Sequence, residues 1–134
     1  IGLFDMILLK DNHVDFAGGI TAALTRAKNY CEEKGKDLRI EIETRSEDEI
    51  REALATNIPD RIMLDNFNPE RTKSAVEIIR AWEKENGKHI EIESSGGITI
   101  DTLHDYAVTG VDFVSVGALT HSVKSLDMSF KALK

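Results

Sequence analysis

Apolar residues recur along the chain with two alternating spacings, one typical of strands and one typical of helices. Strand-like runs are LFDMILLK (3–10), DLRIEIET (37–44), DRIMLDN (60–66), HIEIESS (89–95) and DFVSVGA (112–118). Helix-like runs lie between them at 19–35, 46–57, 68–87 and 99–110, and the tail 121–134 is compatible with a final short helix. The pattern therefore predicts five strands with four helices between them.

Residues at the ends of the helical runs support these assignments. Ser46 stands three residues before Glu49, which is the spacing of a capping box. Asn68 is suited to cap the helix that begins at Pro69, since proline is favoured at the first helical position. Glycines that suit the end of a helix follow two of the runs, at Gly35 and Gly87.

Regular alternation of strands and helices predicts an α/β fold with parallel strands joined by right-handed crossovers. A βα barrel and an open doubly wound sheet both fit about five such units. The length of 134 residues and the short loops indicate one domain, or part of a larger one. Because the chain opens with Ile1 and enters an apolar strand at once, we expect it to be part of a longer protein.

Composition narrows the range of partners. The formal net charge of −7 argues against nucleic acid as the main partner, because phosphate backbones attract basic surfaces. The longest apolar runs are far too short to span a bilayer. The single cysteine, Cys31, offers no disulfide framework and is typical of a reducing compartment. We therefore expect a cytoplasmic protein that binds neither nucleic acid nor membrane.

Polar residues gather where the predicted strands end, which is where parallel α/β folds bind ligands. Glu43 and Asp65 at two of these ends predict a site for a divalent cation, and Mg²⁺ suits oxygen ligands. Glu41 and Glu91 lie one strand period from Glu43 and Glu93, so they could belong to the same site or line a solvated face. Further candidates are Lys10 as a partner for carboxylate or phosphate, and His13 and His121 as proton carriers, phosphate contacts or structural loop histidines.

Two glycine-containing turns indicate where an anion could bind. Gly96 and Gly97 follow a strand and lead into the helix predicted at Thr99, whose N-terminus would favour an anion. A similar turn follows the next strand, at Val116, Gly117 and Ala118. Adjacent βα loops of this kind are a common phosphate site in barrel enzymes. We therefore expect a phosphate group to bind at these two turns.

Five motifs together resemble one family, the carboxyl-terminal domain of quinolinate phosphoribosyltransferase, also called carboxylating nicotinate-nucleotide pyrophosphorylase. The motifs are GLFDMILLKDNH, IEIET, IMLDNFNPE, ESSGGI and YAVTGVDFVSVGALTHS, and they extend from Gly2 to about Asp127 in the family's order. The resemblance implies an incomplete, TIM-like parallel βα barrel, with residues 1–134 as part of the carboxyl-terminal domain and the amino-terminal domain absent. It also implies a homodimer or a higher homo-oligomer.

The activity implied by the resemblance is transfer of a phosphoribosyl group from phosphoribosyl pyrophosphate to quinolinate, in de novo NAD biosynthesis. Pyrophosphate and CO₂ are released and nicotinate mononucleotide is formed, with Mg²⁺ as the cofactor. Lys10, Glu43 and Asp65 correspond to residues that contact substrate, and the two carboxylates reach the metal through water or diphosphate. Residues that correspond to the 5′-phosphate site are Ser95, Gly96, Gly97, Val116, Gly117, Ala118 and the neighbouring His121.

One departure from the family pattern concerns the part of the site that holds quinolinate. The family carries a His-Arg pair immediately before the stretch that matches Ile1 and Gly2, together with further cationic residues upstream. Because those cations hold the two quinolinate carboxylates, we expect the 134-residue chain alone to be inactive or nearly so. Two alternatives stay open: a related enzyme with nicotinate as the acceptor, and a phosphate-binding half-barrel that serves as an interaction module.

Overall fold

A single sheet contains all the strands that the structure describes, in the order in which they occur along the chain. The structure is a computed structural model, and it describes residues 6–117 and 127–131. The strands are β1 (Met6–Leu9), β2 (Arg39–Thr44), β3 (Arg61–Asp65), β4 (Glu91–Ser95), β5 (Phe113–Gly117) and β6 (Asp127–Lys131). Each of the first five is parallel to its neighbours among them, and β6 is antiparallel to β5.

Helices connect the parallel strands. They are α1 (Asp11–Ala17), α2 (Ile20–Lys34), α3 (Glu47–Thr56), α4 (Pro69–Asn86) and α5 (Leu103–Ala107). Helices α1 and α2 both lie between β1 and β2, and the others occupy one crossover each. Consecutive helices from α2 to α5 pack against each other.

The consecutive strand order decides between the two architectures that the sequence left open. In a doubly wound sheet the strand order reverses at a switch point, whereas a βα barrel keeps the sequence order around its circumference. Right-handed crossovers between successive neighbours place all the helices on one face. The described residues therefore form an arc of a TIM-like barrel, which confirms the predicted fold class.

The hydrophobic core lies between this arc and its helices. Strand residues such as Ile42 and Ile62 are fully buried there, in one cluster with helix residues such as Leu24. Because successive residues of a strand point to opposite faces, Glu41 and Glu43 point to the concave face, inside the arc. The two-residue spacing of these carboxylates thus places charged groups where a closed barrel would have its interior.

A repeated contact fixes neighbouring strands at the end of the sheet opposite the carboxyl ends. Asp60, before β3, donates its N–H to the carbonyl of Ile40 at 2.8 Å and accepts the N–H of Ile40 on Oδ2 at 2.9 Å. Asp112, before β5, makes the same two bonds with Ile92, each at 2.9 Å. Asp112 also accepts from Arg80 at 3.0 Å. The Asp60 carboxylate thus holds β2 beside β3, and the Asp112 carboxylate holds β4 beside β5.

The predicted caps form, with one difference in partner. The side chain of Ser46 accepts the N–H of Glu49, and that of Asn68 accepts the N–H of Arg71. The carboxylate of Glu49 returns to the N–H of Arg45 at 2.7 Å, one residue earlier than in a standard capping box. Gly35 and Gly87 end their helices in the left-handed conformation, as predicted.

Three features of the elements differ from what the sequence predicted. Helix α1 was not predicted, because Val14 is its only buried residue and its sequence has no apolar stripe. The tail, whose sequence is compatible with a short helix, instead contains the strand β6 over the described residues 127–131. Helix α5 begins at Leu103, well after the predicted start at Thr99. Residues 3–5 of the first predicted strand lie outside the described residues.

None of the helices described is both long enough and apolar enough to cross a membrane.

Candidate active site

Three carboxylates meet at the carboxyl ends of the first three strands. Asp11 opens α1 directly after β1, Glu43 lies near the end of β2, and Asp65 ends β3. One carboxylate oxygen from each lies within 4.8 Å of the other two. Glu43 and Asp65 are brought together as the sequence predicted. Asp11 was not among the predicted metal ligands, and its place in this acidic group was missed.

The carboxylates of the acidic group repel one another. Burial, together with the negative charges of Asp65 and Asp11, raises the pKa of Glu43. Burial and the charge of Asp11 likewise raise the pKa of Asp65. A bound cation would relieve this repulsion, and the carboxylate oxygens are ligands that Mg²⁺ accepts. The donor set of the acidic group thus fits a hard divalent cation.

Two cationic residues border the acidic group. Lys10 is exposed between β1 and α1, and its positive charge lowers the pKa of Glu43, against the larger effects of burial and the acidic neighbours. Arg45 follows β2 and forms ion pairs of 3.0 Å with both Asp15 and Glu49. Lys10 thus lies close enough to Glu43 to act on its charge, and its role as a partner for carboxylate or phosphate stays a prediction. Arg45 was not singled out in the sequence.

The first glycine turn lies beside the acidic group. Asp65 and Ser95 are direct neighbours on β3 and β4, and the N–H of Asn66 extends the pairing to the carbonyl of Ser95 at 2.9 Å. Gly96 and Gly97 follow with φ angles of 95° and 70°. These left-handed conformations favour glycine and leave the turn's backbone bare. Gly97 is exposed and Gly96 is partly exposed, and phosphate binding at this turn stays a prediction.

The second turn is adjacent to the first, as predicted. The N–H of Gly117, at the end of β5, donates to the carbonyl of Ile98 at 3.2 Å. This N–H is consequently engaged within the protein, so other groups of the second turn would have to supply contacts to an anion. Ala118 and His121 lie outside the described residues.

The expectation of a helix N-terminus at Thr99 was wrong. Between the first turn and α5, Thr99 and Thr102 bond to each other: the N–H of Thr99 donates to Oγ1 of Thr102 at 3.0 Å, and the N–H of Thr102 to Oγ1 of Thr99 at 3.3 Å. Helix α5 begins only after them and spans 5 residues. An anion at Gly96 and Gly97 would therefore depend on the turn's own N–H groups, without a helix dipole.

A charged network fills the concave face below the acidic group. Arg61 lies next to Glu91 in the sheet and bonds to it at 3.2 Å, and it bonds to Glu93 at 3.3 Å. Arg39 pairs with Glu91 from β2. Burial raises the pKa of Glu91, but the hydrogen bonds from the two guanidinium groups outweigh it and the pKa is lowered. Glu91 therefore belongs to an ion-pair network inside the arc and does not line a solvated outer face.

Glu41 is the least solvated acid of this network, with 5% of its surface exposed. Burial and the adjacent Glu93 carboxyl raise the pKa of Glu41 to about 8. Among the described residues, Oε2 of Glu41 has no hydrogen-bond partner, which suits a neutral carboxyl better than an ionised one. Glu93 accepts a hydrogen bond from Ser115 at 2.6 Å. The alternative of a solvated face for Glu41 was wrong.

Of the two candidate histidines, the structure describes His13. His13 lies on α1, is exposed, and its Nδ1 accepts the N–H of Lys10 at 3.4 Å. This contact is local and structural, and it places the ring next to Lys10 at the mouth of the arc. His13 therefore stays a candidate for a contact to ligand.

Comparison with known proteins identifies relatives over nearly the whole chain. The model of the family described as quinolinate phosphoribosyl transferase, C-terminal domain, matches residues 1–131. The chain is 41% identical to a chloroplastic nicotinate-nucleotide pyrophosphorylase [carboxylating] of Arabidopsis thaliana, over 98% of this chain and 40% of that protein. It is 44% identical to a probable nicotinate-nucleotide pyrophosphorylase [carboxylating] of Methanocaldococcus jannaschii, over 98% of this chain and 45% of that protein.

Solved structures give the same result for the fold. The nicotinate-nucleotide pyrophosphorylase of Francisella tularensis superposes with a TM-score of 0.72 at 39% identity, over 96% of this chain and 43% of that one. The enzyme of the same name from Ehrlichia chaffeensis gives a TM-score of 0.70 at 33% identity, over 86% and 38% of the two chains. The chain thus spans less than half the length of these relatives.

Proposed function

Because this chain belongs to the family of quinolinate phosphoribosyl transferase C-terminal domains, we propose that it forms the barrel part of an enzyme of that activity. The whole enzyme would transfer the phosphoribosyl group of phosphoribosyl pyrophosphate to quinolinate. Pyrophosphate and CO₂ leave, and nicotinate mononucleotide is formed for de novo NAD biosynthesis. The relatives of this chain carry the name nicotinate-nucleotide pyrophosphorylase [carboxylating], which supports the proposal.

The observation that carries the proposal is the acidic group beside the first glycine turn. Three carboxylate oxygens within 4.8 Å of one another suit a divalent cation, and the glycine backbone of the turn, exposed at Gly97 and partly exposed at Gly96, suits a phosphate. Phosphoribosyl pyrophosphate has a diphosphate at one end and a 5′-phosphate at the other. The two features therefore match the two ends of one substrate: Asp65 lies one strand spacing, about 5 Å, from the strand that leads into the turn, and Glu43 lies two spacings from it.

Asp11, Glu43 and Asp65 are the residues that would hold Mg²⁺, directly or through water. When bound, Mg²⁺ would neutralise charge on the leaving diphosphate. Glu43 and Asp65 would in addition stabilise the positive charge that develops on the ribose carbon as the diphosphate departs. These carboxylates act from fixed positions in a partly buried site, where electrostatic effects are stronger than in water.

The remaining site residues would bind and orient substrate. Lys10 at the mouth carries a positive charge suited to a quinolinate carboxylate or a phosphate. Ser95, Gly96 and Gly97 would hold the 5′-phosphate through backbone N–H groups. We assign the same phosphate to the second turn and to the histidine after it, through the residues Val116, Gly117, Ala118 and His121.

Decarboxylation depends mainly on the pyridine ring of the substrate and needs few groups from the protein. Once the pyridine nitrogen carries the ribosyl group, breaking the bond to CO₂ leaves an electron pair on the neighbouring ring carbon, where the cationic nitrogen stabilises it until that carbon takes a proton from water. A protein nucleophile is therefore not needed, and the site's task is to bind, to orient and to stabilise charge. For the whole enzyme we further propose a homodimer or higher homo-oligomer in the cytoplasm, with the amino-terminal part of the protein supplying the cations that bind quinolinate.

Metal-dependent binding of the phosphoribosyl donor tests this site. Calorimetry would use the full-length protein, meaning this chain together with the coding sequence that adjoins it. We expect phosphoribosyl pyrophosphate to bind in the presence of Mg²⁺ and to lose at least about tenfold in affinity when EDTA is added. Ribose 5-phosphate, which lacks the diphosphate, should be indifferent to EDTA. Equal metal dependence of both ligands, or of neither, would contradict the proposed site.

A further inference from the structure

Asn66 has an unusual backbone conformation directly beside the acidic group. Among the described residues, only Asn57 and Asn66 combine a side chain with a positive φ, at 57° and 60°. Asn57 ends helix α3, where the left-handed conformation is common. Asn66 instead follows β3 without a helix to end. Asparagine tolerates this conformation better than most residues do. Since no helix ends here, the left-handed backbone of Asn66 calls for a different explanation.

The conformation presses the Asn66 side chain against the first glycine turn. A Cβ atom placed on Gly96 would lie 2.5 Å from Oδ1 of Asn66 and 3.0 Å from its backbone N. The amide of Asn66 therefore covers the space where any other residue at position 96 would carry its side chain. Its backbone is fixed in the same place by the bond from the Asn66 N–H to the Ser95 carbonyl at 2.9 Å.

The amide itself is available for a ligand. The residue is exposed, and within the described residues its side chain has no hydrogen-bond partner. It follows Asp65 of the acidic group and touches Gly96 of the phosphate turn. The carboxamide thus lies between the two places that the proposed function assigns to the diphosphate and the 5′-phosphate.

We propose that Asn66 is a substrate-contacting residue whose carboxamide binds the ribose 5-phosphate portion of phosphoribosyl pyrophosphate. This inference rests on the proposed function. An amide can donate to a phosphate oxygen and accept from a ribose hydroxyl, and it does so without a charge that would repel phosphate. The left-handed backbone is what directs this group over the turn, and Gly96 is what leaves room for it.

The test compares three variants of the full-length protein in steady-state kinetics. Asn66→Gly keeps the left-handed backbone and removes the amide. Asn66→Asp keeps the size and the left-handed tendency but adds a negative charge. Asn57→Gly makes the same chemical change at the other left-handed asparagine, at the opposite end of β3, and serves as the matched control.

We expect Asn66→Gly to raise the KM for phosphoribosyl pyrophosphate roughly tenfold, the effect of one lost hydrogen bond to a charged group. Asn66→Asp should raise it further, to about a hundredfold, because the new carboxylate faces phosphate. The KM for quinolinate should stay within about twofold in both, and Asn57→Gly should match the wild type. The melting temperatures of Asn66→Gly and Asn57→Gly should fall close together.

Two results would overturn the inference. Unchanged KM for phosphoribosyl pyrophosphate in both Asn66 variants would show that the amide does not contact substrate. Equal losses toward both substrates, with a lowered melting temperature, would show a structural role for the residue. A wild-type protein without any turnover would instead refute the proposed function, and the inference with it, so the two failures are distinguishable.

Discussion

The backbone N–H of Asp11 donates a hydrogen bond to Oε1 of Glu43 at 3.0 Å. This bond joins the start of α1 to the end of β2 and holds the Glu43 carboxylate by a backbone group, which is not free to rotate. Asp11 thereby contributes twice to the acidic group, with its backbone as a positioning donor and with its own carboxylate. The protein itself thus positions the Glu43 carboxylate, which is the condition for effective electrostatic stabilisation by that group.

Removing one charge from the acidic group should reduce turnover without unfolding the protein. We expect Glu43→Gln and Asp65→Asn each to lower kcat/KM by about 10²–10³-fold, the usual effect of losing one group that stabilises developing charge. Both changes keep the shape of the side chain and relieve repulsion between carboxylates, so the melting temperature should not fall. Glu77→Gln, at an exposed position on α4, is the matched control. Near-normal turnover in both site variants would show that the acidic group is not the catalytic site.

A methyl group on Gly96 should damage the phosphate turn. In Gly96→Ala the new Cβ would lie 2.5 Å from Oδ1 of Asn66, and the φ of 95° is strained for alanine. We expect the affinity for phosphoribosyl pyrophosphate to fall at least about tenfold, because either the turn or Asn66 must move. Gly87→Ala, with a φ of 67° and no atom within 4 Å, is the control for backbone strain alone. Calorimetry that found equal affinities in the two variants would refute the assignment of the turn.

Glu41 should make the protein less stable as the pH rises. Its pKa in the folded state is raised from 4.5 to about 8, so between these values the folded protein retains a proton that the unfolded chain releases. The free energy of unfolding therefore decreases as the pH rises through this range, by up to about 1.4 kcal/mol per pH unit for a single group. Glu41→Gln cannot lose a proton there, and it preserves the shape of the neutral carboxyl.

Urea unfolding at pH 5 and pH 8 would measure this effect. We expect Glu41→Gln to match the wild type closely at pH 5 and to be more stable at pH 8, by an amount on the order of a few kcal/mol. The exposed Glu77→Gln should show no such growing difference. Parallel pH profiles for Glu41→Gln and the wild type would mean that Glu41 is ionised in the folded protein at pH 7.

The repeated aspartate contact gives a prediction about stability at the other end of the sheet. Asp112 is buried and its Oδ2 accepts from both Ile92 and Arg80, whereas Asp60 is only partly buried. Asp112→Asn should lower the free energy of unfolding by about 1.5–3 kcal/mol, because it weakens a buried hydrogen bond to the Arg80 guanidinium, which keeps Glu83 as its other carboxylate partner. Asp60→Asn should cost about 1 kcal/mol. Equal effects of the two changes on the urea midpoint would contradict the role given to Arg80.

The sequence predicted β1 to β5 and the helices α2, α3 and α4 because the apolar residues that recur along them at strand or helix spacing are the residues that they bury. It missed α1, whose single buried residue Val14 leaves no periodic signal, and it did not predict β6, which pairs at the edge of the sheet. The late start of α5 was also missed, because the mutual bonds of Thr99 and Thr102 occupy the residues that would have opened the helix.

The sequence predicted those residues of the candidate site that lie at the ends of strands. Glu43, Asp65 and the two glycine turns follow from alternation and from the rule that ligands bind at the carboxyl ends of parallel strands. Whether Glu41 faced solvent or the interior could not be decided, because a two-residue period shows which residues share a face and not where that face points. The position of Asp11 and the left-handed backbone of Asn66 depend on contacts between strands that are distant in sequence.

The most direct test of the central claim is to measure both products in one reaction. The full-length protein would receive carboxyl-labelled quinolinate, Mg²⁺ and phosphoribosyl pyrophosphate, and the released CO₂ would be counted against the nicotinate mononucleotide formed. We predict equal amounts of the two products. If folded protein that still binds phosphoribosyl pyrophosphate formed neither product, the claim would be contradicted and the acceptor would have to be a different molecule.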